Sequence, residues 1–540
     1  MSNQIHIIQN AITTTISEIF RGDFRRICEV KKAVLHLEAI YFCHGTCYLL
    51  KRENMPIKDQ LALYQRIELI PQSTTEFFEN NRECIINNWP EESALVAKPE
   101  ILYDALLASE FCVQPERVGY KIDKVSRDIA GAYYTSSDFS AQITYRALES
   151  YMDRKRRRAI DSDSFACCNE YENITFLDYS CGCGEFLLAV IQYFDNHVLG
   201  YSRKKLATQL RGVDVNPIAL MITIARIVSA VEAEDDENLL REVAKNFIVG
   251  NPLLHSDKIA PLEVRFDNFA LNRLYAETEG INCLELEQQN LVVLGNPPWE
   301  KLRFEERAFF RPVCPAISAI SQKNKREKEI KKLAVNWLEL LEYYQLLQDD
   351  YASVKKEIPK HPLLKVSLVG ELNTYAMFAE LASRLTEKDG FAAIIVKSAL
   401  VTSTCYSSCF RHFVNQGSLS EVFLFDNREK LFQIDSREKF CVLFFGGEHA
   451  GGIKVHYGLT KQEQILSSVP INVTSEELEL INPETGLLPN VADSKEFSFL
   501  LRTHRSLSVF AKEFPKCHFG RLVHLTAHAE HISTKSEKTR

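Results

Sequence analysis

Near residue 120 the chain changes its hydrophobic rhythm. Before that point, segments such as "LEAIYFCHGTCYLLKRE" and "KDQLALYQRIELI" place apolar residues at helical spacing, so residues 1–125 are expected to form a helical N-terminal domain. From about 126 to 455, short apolar runs alternate with amphipathic stretches. "NITFLDYS" leads into "GEFLLAVIQYF", and "LRGVDVN" into "PIALMITIARIVSAV"; "NFIVGNPLL", "NLVVLGNPP", "GFAAIIVKSALV", "LSEVFLFD" and "KFCVLFFGG" follow. This alternation predicts an α/β fold: a doubly wound, mostly parallel sheet with helices on both faces. A charged stretch at about 303–370 reads as a helical insertion in that catalytic domain, and beyond 456 the pattern weakens. The sequence contains no internal repeat and no extended low-complexity tract.

Composition narrows the class. A chain of 540 residues, 46% hydrophobic and 25% charged, is that of a globular protein with about two to four domains. No apolar run approaches the roughly 18–20 residues of a membrane span, and the first residues lack the basic and apolar regions of a signal peptide, so no membrane partner is expected. Fifteen cysteines without a regular framework read as free thiols in a reducing cytosol, which implies a cytoplasmic location. The net charge of −8 argues against a broad electrostatic grip on nucleic acid but leaves room for a local basic cleft. "DRKRRR" at 153–158 and "QKNKREKEIKK" at 322–332 are candidates, although each reads more readily as a solvated helix face. Asp23, Glu29 and Lys31 superficially resemble a nuclease carboxylate–lysine set. Their tight spacing in a helical segment favours a chance surface arrangement, and no metal site is expected.

Chemistry concentrates where the apolar strands stop. In "FLDYSCGCGEFL" a strand ends at Asp178 and a turn containing Gly182 and Gly184 feeds a helix. Glycines there let the backbone turn tightly against a ligand. The spacing is neither GxGxxG nor a P-loop, and Glu185 would repel a phosphate, so a cofactor without phosphates fits better. In "LRGVDVNP" a second strand ends on Asp214. That residue is placed either to accept hydrogen bonds from ribose hydroxyls or to cap the helix opened by Pro217. "FIVGNPLL" stops on Gly250, Asn251 and Pro252. "LVVLGNPPWEKL" stops most abruptly: two prolines cannot donate to a ladder, and Asn296 and Trp299 are offered at the strand's carboxyl end. Upstream, "GAYYTSSDF" sets aromatic and hydroxyl groups just before a helix, with Ser137 or Asp138 as the expected N-cap.

Taken in order, "GAYYTS", "LDYSCGCGEF", "GVDVNP", "GNPLL" and "GNPPW" resemble the motifs of gamma-group adenine-N6 DNA methyltransferases of restriction–modification systems. Further on, "ELNTYAMFAELASRL", "GFAAIIVKSALVTS" and "FDNREKLFQIDSREKFCVLFF" are similar to the large type IIG and IIS enzymes, most of all to the Alw26I/Eco31I/Esp3I family. The resemblance covers about 126–455. It implies a Rossmann-like domain that binds S-adenosyl-L-methionine over Gly182 and Gly184. Asp178 would lie at the cofactor's amino-acid end, Asp214 at the ribose, and Tyr134 and Thr135 near the methionine carboxylate. It further implies a flipped adenine of double-stranded DNA whose exocyclic amine is held by Asn296 and the backbone carbonyl of Pro297. Pro298 would stiffen the turn and Trp299 stack on the base. Three positions depart from the family pattern. Ser136 stands where a proline is usual, Cys183 where a small hydroxyl residue is common, and Asn251 where an aspartate would meet the cofactor's adenine ring.

Other readings remain beside this one. A protein glutamine N5-methyltransferase also uses an Asn-Pro-Pro turn, but those chains are usually shorter and carry Tyr after the prolines. A bifunctional endonuclease–methyltransferase would need a credible nuclease site before residue 120. A non-catalytic DNA-binding subunit would not need the intact turn. Only about 85 residues follow position 455, and the closing "GRLVHLTAHAEHI" resembles the start of a target-recognition region. Residues 456–540 are therefore expected to be a truncated recognition region, completed by a separate partner or accompanied by a cognate restriction endonuclease.

Overall fold

The computed structural model describes residues 2–90, 98–107, 109–122, 135–161, 171, 173–273, 280–282, 290–386, 389–446 and 451–507. The architecture is mixed α/β around a nine-stranded, largely parallel sheet. Its strands are β1 (Thr175–Asp178), β2 (Leu210–Asp214), β3 (Phe247–Val249), β4 (Leu291–Gly295), β5 (Phe391–Lys397), β6 (Leu419–Asp426), β7 (Lys439–Phe445), β8 (Ile453–Leu459) and β9 (Ile471–Val473). They lie in the order β3-β2-β1-β4-β5-β7-β6-β8-β9. β1 to β5 run parallel; β7 is antiparallel to both β5 and β6, β8 is parallel to β6, and β9 closes the edge antiparallel to β8.

The order reverses between β1 and β4. Chain direction moves outward through β2 and β3 on one side and through β5 on the other, which leaves a crevice above the carboxyl ends of β1 and β4. Central position explains the composition of β4. All five of its residues are buried, and successive side chains face opposite sides, so both faces of the sheet are covered and the strand reads as a continuous apolar run.

Helices α1 (Ile27–Leu49), α2 (Ser137–Asp161), α3 (Glu185–His197), α4 (Pro217–Ala230) and α5 (Thr374–Leu385) matter most for the site. Asn216 caps α4 by accepting from the amide of Ile218, with Pro217 at the first helical position. α4 is apolar all round because it is sandwiched: it packs on β2 and β3 and also against α1. The N-terminal helices thus share one continuous hydrophobic core with the sheet. Ser136, not Ser137 or Asp138, caps α2, its hydroxyl accepting from the amide of Phe139. The residue that departs from the family's proline therefore has a local structural use.

Two details differ from the sequence reading. Residues Ser109–Gln114 and Arg117–Ile122 form an antiparallel hairpin turning at Pro115–Glu116, in a region read as helical. "FIVGNPLL" stops where expected, β3 ending at Val249, but Asn251–His255 then forms an unforeseen strand that pairs with Gly280–Ile281 outside the main sheet. Between β4 and α5 the chain forms helices Glu306–Val313, Pro315–Ser318, Lys323–Asn336 and Leu338–Glu357. Trp337 ties them down by donating to the carbonyl of Arg25 at 2.7 Å, and Tyr343 by donating to that of Leu271 at 2.8 Å. Among the described residues no helix is long and apolar enough to cross a membrane.

Candidate active site

Two turns meet at the strand reversal. The first follows β1. Asp178, only 2% exposed, ends the strand and accepts from the amide of Ser180 at 3.0 Å. Gly182 and Gly184 adopt φ of +50° and +84°, a left-handed backbone that L side chains disfavour. The amide of Gly182 donates to a carboxylate oxygen of Asp214 at 2.9 Å, and its carbonyl accepts from Thr223 of α4 at 2.7 Å. Thr223 also sets the need at Gly184, where an added Cβ would lie 2.7 Å from its methyl group. A Cβ added at Gly182 would meet nothing within 4 Å, so that glycine borders open space.

Asp214 does not cap α4, a place taken by Asn216. The Asp214 carboxylate accepts from the amides of Gly182 and Asn216, so it splices the glycine turn to the start of α4. Burial raises its pKa while those amide bonds oppose the rise. Asp178 is pushed further, to about 8, first by burial and then by the neighbouring charge of Asp214, against the amide of Ser180. The thiols of Cys181 and Cys183 are buried and held well above their ordinary range.

One electrostatic argument needs correcting. Glu185 is not a bare charge at the turn: Arg226 of α4 meets it at 2.7 Å and also donates to the carbonyl of Cys183. Its repulsion of a phosphate is therefore largely cancelled, and the case for a phosphate-free ligand rests on the absence of a P-loop pattern instead.

The second turn follows β4. Gly295 lies flat against β1, and a Cβ there would sit 2.7 Å from Oδ1 of Asp178. Asn296 is half-buried and its Nδ2 donates to Oγ1 of Thr135 at 3.1 Å. This contact joins the upstream hydroxyl motif to the Asn-Pro-Pro-Trp turn across 161 positions of sequence. Tyr134 lies outside the described residues. Thr374 at the start of α5 braces the turn three times over. Its hydroxyl donates to the Pro298 carbonyl at 2.6 Å and accepts from the Glu300 amide at 2.9 Å, and its own amide donates to the Glu300 carbonyl at 2.9 Å. With Pro298 engaged in this way, Pro297 carries the turn's other proline carbonyl.

Trp299 departs from the open stacking platform expected of it. It is 5% exposed, its indole N–H points to the carbonyl of Ile395, and its ring packs edge-to-face on Phe432 at 5.4 Å and tilted on Phe440 at 6.1 Å. Asn251 sits at the neighbouring strand end, where its Oδ1 accepts from the amide of Leu253 at 3.0 Å. Glu300, next after Trp299, has its carboxyl pushed up to about 8 by burial.

Thus the structure gathers Asp178, Gly182, Gly184 and Asp214 in one turn cluster. It brings Asn296, Pro297, Pro298 and Trp299 alongside through Gly295, and adds Thr135. Sequence reading missed Thr374, Arg226, Thr223 and Phe432. The first three act across long sequence separations with no local pattern of their own. Phe432 lay inside a quoted motif, but nothing in its spacing marked it as Trp299's neighbour.

A mixed α/β protein in which a glycine turn and an Asn-Pro-Pro-Trp turn meet at a strand-order reversal is the class these observations define. No family model matches the chain, and no curated protein does. Solved structures with similar folds include a complex of DrdV with DNA, at 11% identity and a TM-score of 0.43, covering 88% of this chain and 46% of that one. Another is a nuclease-deletion mutant of the Type ISP restriction–modification enzyme LlaGI in complex with a DNA substrate mimic, at 11% identity and 0.44, covering 92% and 44%. A third is a putative class I S-adenosylmethionine-dependent methyltransferase from Listeria monocytogenes, at 11% identity and 0.35, covering 86% and 97%. The chain spans less than half the length of the DrdV and LlaGI chains it matches.

Proposed function

We propose that this chain is a site-specific, adenine-specific DNA methyltransferase of a restriction–modification system, using S-adenosyl-L-methionine on double-stranded DNA. One observation carries the reading. The Asn-Pro-Pro-Trp turn leaves β4 directly beside the glycine turn that leaves β1, across the reversal of strand order. The order of motifs, like that of the Alw26I/Eco31I/Esp3I family, supports it. On this reading the domains are 1–125, 126–455 with its insertion, and 456–540.

The residues present fit the cofactor. Gly182 borders space that even a methyl group would enter, and two acceptor carboxyls flank it. When bound, S-adenosylmethionine supplies an electrophilic methyl group on a sulfonium. Asp178 accepts from the cofactor's ammonium and Asp214 from its ribose hydroxyls. Tyr134 and Thr135 would serve the carboxylate, and Asn251 the adenine ring.

Adenine's exocyclic amine is a weak nucleophile because its lone pair is delocalised into the ring. Two acceptors, the Asn296 side-chain oxygen and the Pro297 carbonyl, draw its N–H bonds out of that plane and localise the lone pair. Both acceptors are set in advance. Thr135 holds the Asn296 amide, and Thr374 holds the Pro298 carbonyl and the Glu300 amide. Trp299 and Phe432 are in contact, so a flipped base enters by parting two rings, each of which then offers it a face.

Transfer of label from S-adenosylmethionine to duplex DNA, with nucleoside analysis of the product, tests the reading. N6-methyladenine that disappears in Asn296→Ala while cofactor binding persists is the expected result. Label in protein or in cytosine refutes it.

A further inference from the structure

A cavity of about 340 Å³ opens on the same sheet edge as the two turns, at the carboxyl ends of β5, β6 and β8. Its volume falls at the low end of small-ligand pockets, about 300–1,000 Å³. Asp426, Arg428, Lys439, Tyr457, Asn490 and Glu496 line it, with Phe425 as one wall, and the Glu496 carboxylate is engaged by the amide of Ala492 at 2.6 Å. Tyr457 is 9% exposed, and its buried hydroxyl has no hydrogen-bond partner among the described residues. A buried hydroxyl left in that state costs free energy, which a polar ligand would recover once a small shift of the Tyr457 side chain uncovers the hydroxyl to the cavity.

The charges constrain what that ligand is. Arg428 lies 2.9 Å from Asp426, and Lys439 donates to Oδ1 of Asn490 at 3.1 Å. A simple anion would face Asp426, and a simple cation would face Arg428 and Lys439. An apolar molecule would leave the Tyr457 hydroxyl unsatisfied. A nucleotide meets all three conditions. The phenol, the amide of Asn490 and the carboxylate of Asp426 match the donors and acceptors of a base edge, while the exposed Arg428 and Lys439 match a phosphate.

Position supplies the source. Phe425 stacks on Phe440 with ring centroids 4.9 Å apart, and Phe440 packs on Trp299. The cavity is thus two ring contacts from the turn proposed to hold the target base. Nucleotides along one strand are spaced by about 3.4 Å when stacked and by more when splayed, so a strand that delivers one base to Trp299 carries its neighbours past the cavity.

We propose that this cavity takes a second nucleotide of the DNA substrate, adjacent to the target, with its base against Tyr457 and its phosphate on Arg428 and Lys439. The proposal rests on the DNA-methyltransferase reading above. It is tested on the full chain by titrating a short fluorescein-labelled duplex at several salt concentrations, with S-adenosylmethionine binding measured in parallel. Tyr457→Phe is expected to raise the Kd for DNA about fivefold, the effect of one net hydrogen bond. Lys439→Gln is expected to flatten the dependence of log K on log salt by about one. Cofactor affinity should be unchanged in both.

DNA that binds with the same affinity and salt slope in both variants overturns the cavity assignment and leaves the methyltransferase reading standing. So does Tyr457-dependent binding of a free deoxynucleoside monophosphate without any change for DNA, since that makes the cavity an effector site. A wild-type chain that binds no DNA and methylates protein removes the parent reading and this proposal with it.

Discussion

Replacing Asp178 with Asn should stabilise the folded chain more at high pH than at low pH. The carboxyl ends β1 almost fully buried, and burial holds its pKa near 8, against 3.8 ordinarily. Because the folded value is the higher one, the unfolded chain loses its proton first. Stability from this group is therefore complete below the ordinary value and is lost as pH rises toward the folded value. Each pH unit in that window removes about 1.4 kcal/mol, so the span from about pH 5 to about pH 8 removes at most about 4 kcal/mol. Relaxation around the charged form brings the expected figure nearer 2 kcal/mol. Asparagine keeps an oxygen for the Ser180 amide and carries no charge, so the variant should lack this slope. Urea denaturation of both proteins at the two pH values measures the difference. A cofactor ammonium would draw the carboxyl back toward ionisation. S-adenosylmethionine should accordingly bind wild type more tightly as pH approaches 8, releasing a proton that calorimetry in buffers of different ionisation enthalpy detects. A wild-type-minus-variant stability difference that is equal at both pH values refutes the reasoning. Cofactor affinity unaffected by the substitution removes the ammonium role.

Thr374→Val deletes the hydroxyl that joins Pro298 to Glu300 and keeps the side chain's shape. With about 1 kcal/mol lost for each of these two hydrogen bonds, methyl transfer should fall about thirtyfold while cofactor affinity, read by calorimetry, stays constant. Gly295→Ala places a Cβ 2.7 Å from Asp178, so the carboxyl or β4 must shift. The expected result is a loss of about 1–3 kcal/mol in unfolding free energy together with weaker cofactor binding; a variant as stable as wild type shows that the contact is slack.

How much of this was legible before the structure depends on the reach of each interaction. The strands around the site were legible because central parallel strands are buried on both faces, and "LVVLG" has no polar position to obscure it. The turns were legible because glycine and proline announce a backbone need locally, as at Gly182 and Gly184. By contrast, the strand Asn251–His255 was not legible, because its partner Gly280–Ile281 lies far along the chain and a short apolar run does not reveal what it pairs with. The hairpin at 109–122 hid behind an apolar alternation as short as a helical turn. Charge misled for another reason. Glu185 was judged from its neighbours in sequence, whereas its partner, Arg226, is supplied by α4 from 41 positions away.

Trp299 shows the same limit with a functional consequence. A tryptophan after two prolines at a strand end invites the picture of an exposed platform, because the sequence gives no sign of what lies above it. The loop after β6 brings Phe432 against the ring, and β7 brings Phe440. Both are themselves buried, so the empty clamp is a closed aromatic cluster rather than an open slot. This packing keeps the three rings out of water, which favours the closed cluster by the burial of apolar surface. On the proposed function, a flipped base would have to replace those ring contacts with its own stacking, and discrimination would begin there: a base that stacks poorly does not offset the contacts it breaks. On that same proposal, Asn296 and the Pro297 carbonyl would then act only on a base that has already passed that test, with entry falling to the aromatic residues and chemistry to the turn.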